Sequence, residues 1–330
     1  MGPSGSGKTT FLDVLAGRKT VGSIIGGIHY GGLPASSSLI RRVTGYVEQF
    51  DTLVATLSCY EMLLYTAQLK RPRQESLASK QAAVEQLLTK LGLSCCSSTQ
   101  IGSALKRGIS GGQAKRLNIG IALITDPRVL FLDEPTSGLD SFTANEVMSV
   151  VSSLVARDGT TVATTIHSPS SFCFGLFNKL LVLVNGRMIY MGGAGDAAID
   201  YFRKCCCARQ PQVGDNLAEW ILEAATQADR QQSEAREDDY LAQRFKSSHL
   251  GQVCVCKLTD PRSNMKCEMR VDASNSNSTQ CSSVLLSAPQ CSSVLRTQIV
   301  TTACGCGCFW SDCPLQLYEA RAVCNSRLNK

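Results

Sequence analysis

Lys8 and Thr9, placed directly behind Gly2, Gly5 and Gly7, are the residue types that grip a row of phosphates. Such a ligand needs several backbone amides converging on negative oxygens plus one mobile cation; glycine permits the close approach and lysine supplies the charge. In "MGPSGSGKTT" the pattern G-x-x-x-x-G-K-[ST] is met by Gly2, Gly7, Lys8 and Thr9, which draws Pro3, Ser4, Ser6 and Thr10 into the same cradle. Lys8 would reach the β and γ phosphates. The Thr9 hydroxyl would face magnesium, a hard ion that prefers oxygen ligands.

A cradle of this kind calls for a second magnesium group at the end of a buried apolar strand, and Asp133, directly after "VLFL", meets the requirement. Glu134 follows immediately and would orient and polarise an attacking water; without Lys8 elsewhere it would read as a solvated strand-end acid. His167 ends the next strand-like run, 34 residues beyond Asp133, the length of about one strand-helix-strand crossover. A lone histidine is more often structural, but its place at the same sheet edge turns the reading toward the ligand. Gln49 also closes a strand, where an amide oxygen would touch the metal. In "ISGGQ" the glycines Gly111 and Gly112, between Ser110 and Gln113, open a helix and expose unpaired amides at the positive end of its dipole. One chain already has its cradle around Lys8, so a second anion-seeking helix end points to a nucleotide held by a partner subunit.

The elements that must position these groups follow from periodicity. Phe11, Leu12, Leu15 and Ala16 recur at helical spacing, so the loop opens into a helix whose first amides face the phosphates, and Gly17 stops it. "SIIGGIHYGGLP" reads as a short hairpin between glycines, and "RRVTGYVEQFD" as a strand from Val43 to Val47. Residues 56 to 124 carry helical patterns throughout. The uninterrupted apolar run from Val129 to Leu132 is the type expected in a parallel strand buried on both faces. A helix from about Phe142 to Ala156, a strand in "TTVATTIHS" and a hairpin turning at Asn185 and Gly186 complete the pattern. Alternating strands and helices predict an α/β fold with a parallel sheet, whose ligands lie beyond the carboxyl ends of the strands. All the polar candidates fall there.

The totals exclude several classes. A net charge of +6 spread over 330 residues, with no basic arm, gives nucleic-acid binding little support. No stretch reaches the 18 or so consecutive apolar residues of a membrane span. A phosphate loop stands where a secretory leader would, so the cysteines are expected to stay reduced in a cytosolic setting. Ten of the 17 cysteines lie in the last 80 residues, where "QCSSVL" occurs twice and no period supports a packed core. The spacing in "CGCGC" at 304 to 308, with Cys313 and Cys324, differs from the usual zinc pairs.

Taken in order, "GPSGSGKTT", Gln49, "ISGGQ", "LFLDEP", "SGLD" at 137 to 140 and His167 resemble the ATP-binding cassette of ABC transporters. "LDVLAGR", "RGISGGQAKRLNIG", "EPTSGLDS" and "TIHSPS" look like the G-type, or white-like, subfamily. The resemblance covers residues 1 to about 225 as a nucleotide-binding domain of P-loop NTPase type, with a helical signature subdomain at about 56 to 124. Residues 226 to 250 then read as a linker and 251 to 330 as a Cys/Ser-rich tail.

The resemblance implies an ATP-driven clamp with magnesium. Two cassettes meet head to tail, each holding ATP between its own phosphate loop and the other's signature segment. Ser110, Gly111 and Gly112 would contact the partner's γ phosphate, and Asp140 would lie at the dimer seam. Glu134 would be the catalytic base, His167 a γ-phosphate sensor, and Gln49 a magnesium ligand linking hydrolysis to membrane domains. A fuller chain would supply the transmembrane domain and hold this one at the cytoplasmic face. The family's strand feeding the phosphate loop and its adenine-stacking aromatic residue fall upstream of position 1. Unpaired strand neighbours at about 1 to 3 kcal/mol each, against a total stability of about 5 to 15 kcal/mol, lead to the expectation that the chain made alone folds poorly and hydrolyses ATP weakly. Two other classes compete: a soluble ABC ATPase acting away from membranes, and a non-catalytic cassette that regulates intact transporters.

Overall fold

The computed structural model describes residues 1–103, 105–206, 209–212, 214–234, 240–248, 250–252, 269–272 and 299–300. The phosphate-loop segment runs into α1 (Lys8–Leu15), which buries Phe11, Leu12 and Leu15 and ends where Gly17 turns left-handed at φ 65°. Three short strands follow, β1 (Ser23–Gly26), β2 (His29–Tyr30) and β3 (Leu33–Pro34), then α2 (Ser37–Val43) and β4 (Thr44–Val47). The hairpin expected in this glycine-rich stretch is confined to β2 and β3. β1 pairs instead with β9 (Met269–Asp272), and β2 takes β10 (Ile299–Val300) on its other side. The sequence gives no local signal for these two distant partners, which lie in the segment read as strandless. The "QCSSVL" repeats and the Cys304 to Cys324 cluster lie outside the described residues.

Three helices make up the next stretch: α3 (Cys59–Lys70), α4 (Leu77–Lys90) and α5 (Gly111–Leu123). Each starts at a serine whose hydroxyl accepts a hydrogen bond from an amide three residues on, and in α3 and α5 the return bond from Glu61 or Gln113 completes a capping box. The chain then gives β5 (Val129–Asp133), α6 (Ser141–Asp158), β6 (Thr161–Thr165), α7 (Ser171–Gly175), β7 (Lys179–Val184) and β8 (Arg187–Gly193). β4, β5 and β6 form a parallel sheet in that order, with Val47 opposite Leu132 and Asp133 opposite Thr165. All five residues of β5 are buried. Val129 and Phe131 face a core built on α1, and Leu130 and Leu132 face a second core with α3, α4 and α5. Full burial of such side chains contributes about 1.5 to 3 kcal/mol apiece, and the two-sided burial explains why this strand carries no polar residue before Asp133.

β7 and β8 form an antiparallel hairpin turning on Asn185 and Gly186, both at positive φ, as the Asn-Gly pair predicts. Between β6 and β7 lies an apolar slot of about 120 Å³ lined by Phe11, Leu12, Phe174 and Leu181 among others. Met1 enters it: its amino group donates to the Leu181 carbonyl at 2.7 Å, and Leu183 N–H donates to the Met1 carbonyl at 2.9 Å.

α8 (Asp196–Cys206), α9 (Leu217–Glu234) and α10 (Tyr240–Ser247) close the first core. The sequence marks 226 to 250 as a linker, yet Leu241 and Phe245 are buried in that core, and the Phe245 ring meets Tyr201 edge-on at 5.8 Å. The charged run between α9 and α10 hides how few apolar residues suffice to dock a short amphipathic helix. Among the described residues, Cys59, Cys95, Cys96, Cys173 and Cys205 are free thiols.

Candidate functional site

Parallel register brings the carboxyl ends of β4, β5 and β6 to one rim, and Gln49, Asp133, Glu134 and His167 fall at those ends or within two residues of them. The phosphate-loop segment meets the same rim from the start of α1. Gly7 caps this helix at φ 89° and ψ 14° with no side-chain hydrogen bond to the first-turn amides. A β-carbon on Gly2 would sit 2.2 Å from the Leu183 carbonyl oxygen, so only glycine lets the loop approach β7 this closely.

Four sequence-predicted residues converge here. The Thr9 hydroxyl donates to Asp133 Oδ1 at 3.0 Å, which joins two of the three oxygen-bearing magnesium candidates across 124 positions of sequence. Thr165, which the sequence reading did not single out, donates to the same carboxylate oxygen at 2.5 Å. Lys8 is buried, donates to the carbonyls of Gly2 and Pro3 at 2.9 and 3.0 Å, and lies 3.9 Å from Glu134 Oε1. Burial lowers the Lys8 pKa, while Glu134 and Asp133 pull it back upward. A cation held half-desolvated beside two acids is primed for a more highly charged partner, and phosphate is such a partner.

Glu134 stands at φ 44°, a left-handed backbone rare for a residue with a side chain. Its amide is held there by the Thr165 carbonyl at 3.1 Å and the Thr165 hydroxyl at 2.9 Å. The turn aims its carboxylate back toward Lys8, and Gln49 Nε2 donates to Glu134 Oε2 at 2.9 Å. Gln49 thus touches the candidate base, not the Thr9–Asp133 pair. Asp133, Thr9 and the Gln49 amide oxygen are hard oxygen donors of the sort magnesium takes, so the residue set fits that ion. His167 lies two residues beyond β6 at the same rim, exposed, with no hydrogen bond or ion pair among the described residues. The structure therefore places it by position alone and does not join it to the cluster.

The signature segment is elsewhere on the chain's surface. Ser110 caps α5, its hydroxyl accepting from Gln113 N–H at 3.2 Å and its own amide donating to Gln113 Oε1 at 2.9 Å. Ser110 and Gly111 are exposed, whereas Gly112 is buried against α6, where a β-carbon would come within 2.3 Å of Thr143 Cγ2. Asp140 caps α6 by accepting from Thr143 N–H at 3.0 Å, and that amide holds its carboxyl below the usual range. Within one chain Asp140 is a helix cap, whatever else it meets.

Sequence reasoning missed the link between these two regions. Lys115 of α5, only 3% exposed, donates to the Gln49 carbonyl at 2.9 Å and pairs with Asp51 at 2.8 Å. Asn118, one turn on, donates to Asp51 Oδ1 at 2.9 Å. The helix that begins at the signature is thereby tied to the segment whose Gln49 side chain holds Glu134. A Lys and an Asn three apart on one helix face were the available signal.

Residues 1–137 match the family model described as ABC transporter. The chain is 47% identical over 202 residues to ABC transporter G family member 21 of Arabidopsis thaliana, covering 61% of this chain and 30% of that protein. It is 39% identical over 257 residues to ABC transporter G family member 22 of Dictyostelium discoideum, covering 76% of this chain and 40% of that one. The chain therefore spans well under half the length of these relatives. Among solved structures, a dimeric ATP-binding cassette in a post-hydrolysis state with ADP and Pi aligns with TM-score 0.46 at 22% identity, over 59% of this chain and 83% of that one. No helix among the described residues is long and apolar enough to cross a membrane.

Proposed function

From a chain that carries an ABC-transporter cassette of the G-family kind, we propose the role of ATP-hydrolysing motor for export across a membrane. Two cassettes close head to tail over Mg·ATP, and a transmembrane domain on a fuller chain, met at the cytoplasmic face, carries the substrate. The observation that carries the reading is the convergence of Lys8, Thr9, Asp133 and Glu134 at one sheet rim, through the 3.0 Å Thr9–Asp133 bond and the 3.9 Å Lys8–Glu134 approach.

In this reading the open amides of α1 and the Lys8 ammonium, moved off its two loop carbonyls, receive the β and γ phosphates. Thr9 and Asp133 supply oxygens to the magnesium that accompanies the nucleotide, with Gln49 beside them. Glu134, held in its left-handed turn by Thr165, takes the proton from the attacking water. Ser110 and Gly111 face outward and are offered to the partner's nucleotide, with His167 sensing the γ phosphate at the chain's own rim.

The direct test is nucleotide binding by the full chain with and without magnesium, followed by a fluorescent ATP analogue. Lys8→Ala is expected to weaken binding by about tenfold or more through loss of a charge-assisted phosphate contact. Equal affinity in the wild type and Lys8→Ala would overturn the assignment.

A further inference from the structure

At the opposite end of α1 from Lys8 lies a cleft of about 490 Å³ that the nucleotide reading does not use. Its walls come from the turn after α1, from α2, from the start of β4 and from the ends of α3 and α5. Three cations line it, Arg18, Arg41 and Lys70, with the hydroxyl residues Ser37 and Thr125, and no carboxylate is part of the lining. Two acids beside it are already engaged: Glu48 pairs with Arg18, and Asp13 accepts from the Tyr46 hydroxyl at 2.8 Å. Arg18 also lies 4.3 Å over the Tyr46 ring, which fixes its guanidinium at the cleft wall.

Arg41 and Lys70 have no hydrogen-bond or ion-pair partner among the described residues. The Lys70 pKa is lowered, first by desolvation and then by the like charge of Arg18, so Lys70 and Arg18 repel one another across the cleft. With Arg18 paired to Glu48, the charge left without a counter-ion at this concave space is that of Arg41 and Lys70, and an anion with several oxygens would relieve it. Arginines favour phosphate because their fork matches paired oxygens, and a lysine adds a point charge.

We propose that this cleft binds a phosphate monoester or diphosphate group, held by Arg18, Arg41 and Lys70, at a site separate from the phosphate loop. The eight residues of α1 span about 12 Å at 1.5 Å per residue, so one ligand group cannot touch Lys8 and Arg18 together. The group arrives on a soluble metabolite or as the headgroup of an anionic lipid.

The test titrates inorganic pyrophosphate by calorimetry into the full chain, into Lys8→Ala, and into Arg41→Ala, Lys70→Ala and Arg42→Ala each combined with Lys8→Ala. Arg41→Ala and Lys70→Ala are each expected to weaken by about tenfold the binding that survives in a Lys8→Ala background, where the phosphate loop is disabled, and Arg42→Ala by less than about twofold. Arg42 is an exposed neighbour outside the lining and controls for net charge. Absence of binding, insensitivity to Arg41 and Lys70, or a loss confined to Lys8→Ala would overturn the site, the last assigning the anion to the phosphate loop. Should one alanine variant fail to melt cooperatively, the other decides. Sedimentation with phosphatidylcholine vesicles containing phosphatidic acid, against phosphatidylcholine alone, separates the two sources. Binding to the acidic vesicles that Arg41→Ala abolishes assigns the site to a lipid headgroup, and pyrophosphate binding without vesicle binding assigns it to a soluble phosphate.

Discussion

Two helix N-termini in this chain both carry glycine and both suit an anion by sequence, yet they are built in opposite ways. At α1 the cap is Gly7 in a left-handed turn with no side-chain bond, so the first-turn amides have no partner among the described residues, and Lys8 stands inside the loop. At α5 the Ser110–Gln113 capping box satisfies the third amide internally, while Gly111 is exposed and Gly112 is packed against Thr143. An uncapped end costs stability unless a ligand supplies the missing acceptors, whereas a capped end is stable on its own. The first is a receptor in need of its ligand, and the second is a finished surface that can be presented to another molecule.

The largest effect that tests this contrast comes from separating the two ends onto different chains. Lys8→Ala and Ser110→Arg should each lower ATP hydrolysis by about a hundredfold or more, since each removes or blocks donors aimed at developing phosphate charge. Mixing the two variants should restore a measurable share of turnover, because a Ser110→Arg chain keeps its phosphate loop and a Lys8→Ala chain keeps its signature. Steady-state phosphate release in the mixture checks it. If the mixture is no better than its components, the two ends serve the same nucleotide and the contrast is wrong.

Next in size is the wire between the two regions. Lys115→Met leaves the Gln49 carbonyl and one face of Asp51 without their donor, a loss of about 1 to 3 kcal/mol at a buried site. Denaturant melts measure that loss. A sharper expectation is that nucleotide affinity survives while hydrolysis falls, since the contact of Gln49 with Glu134 depends on the same segment. Affinity falling in proportion to hydrolysis would break the idea that α5 reaches Glu134 through Gln49.

The packing of the signature glycine is expected to matter by a smaller amount. Gly112→Ala drives a β-carbon into Thr143 Cγ2, and overpacking of this kind costs about 1 to 3 kcal/mol, toward the lower end here because one methyl group is the whole obstacle. Thr143→Ser in the double variant removes that methyl and should return most of the stability. A melting temperature that the second substitution leaves unchanged would show that Gly112 is required for something other than space.

Legibility of this molecule from its sequence divides along the same line as its chemistry. β5 was readable because two-sided burial forces an unbroken apolar run, and the Asn185–Gly186 turn because positive φ restricts residue choice. The rim cluster was readable because phosphate, magnesium and a base each demand a particular residue type at a strand end. Lys115 and Asn118 were missed because a polar residue on a helix is assigned to solvent unless its partner is known, and Asp51 belongs to another element. The docking of Phe245 and the pairing of β1 with Met269–Asp272 depend on residues far apart in the chain, which periodicity does not reach.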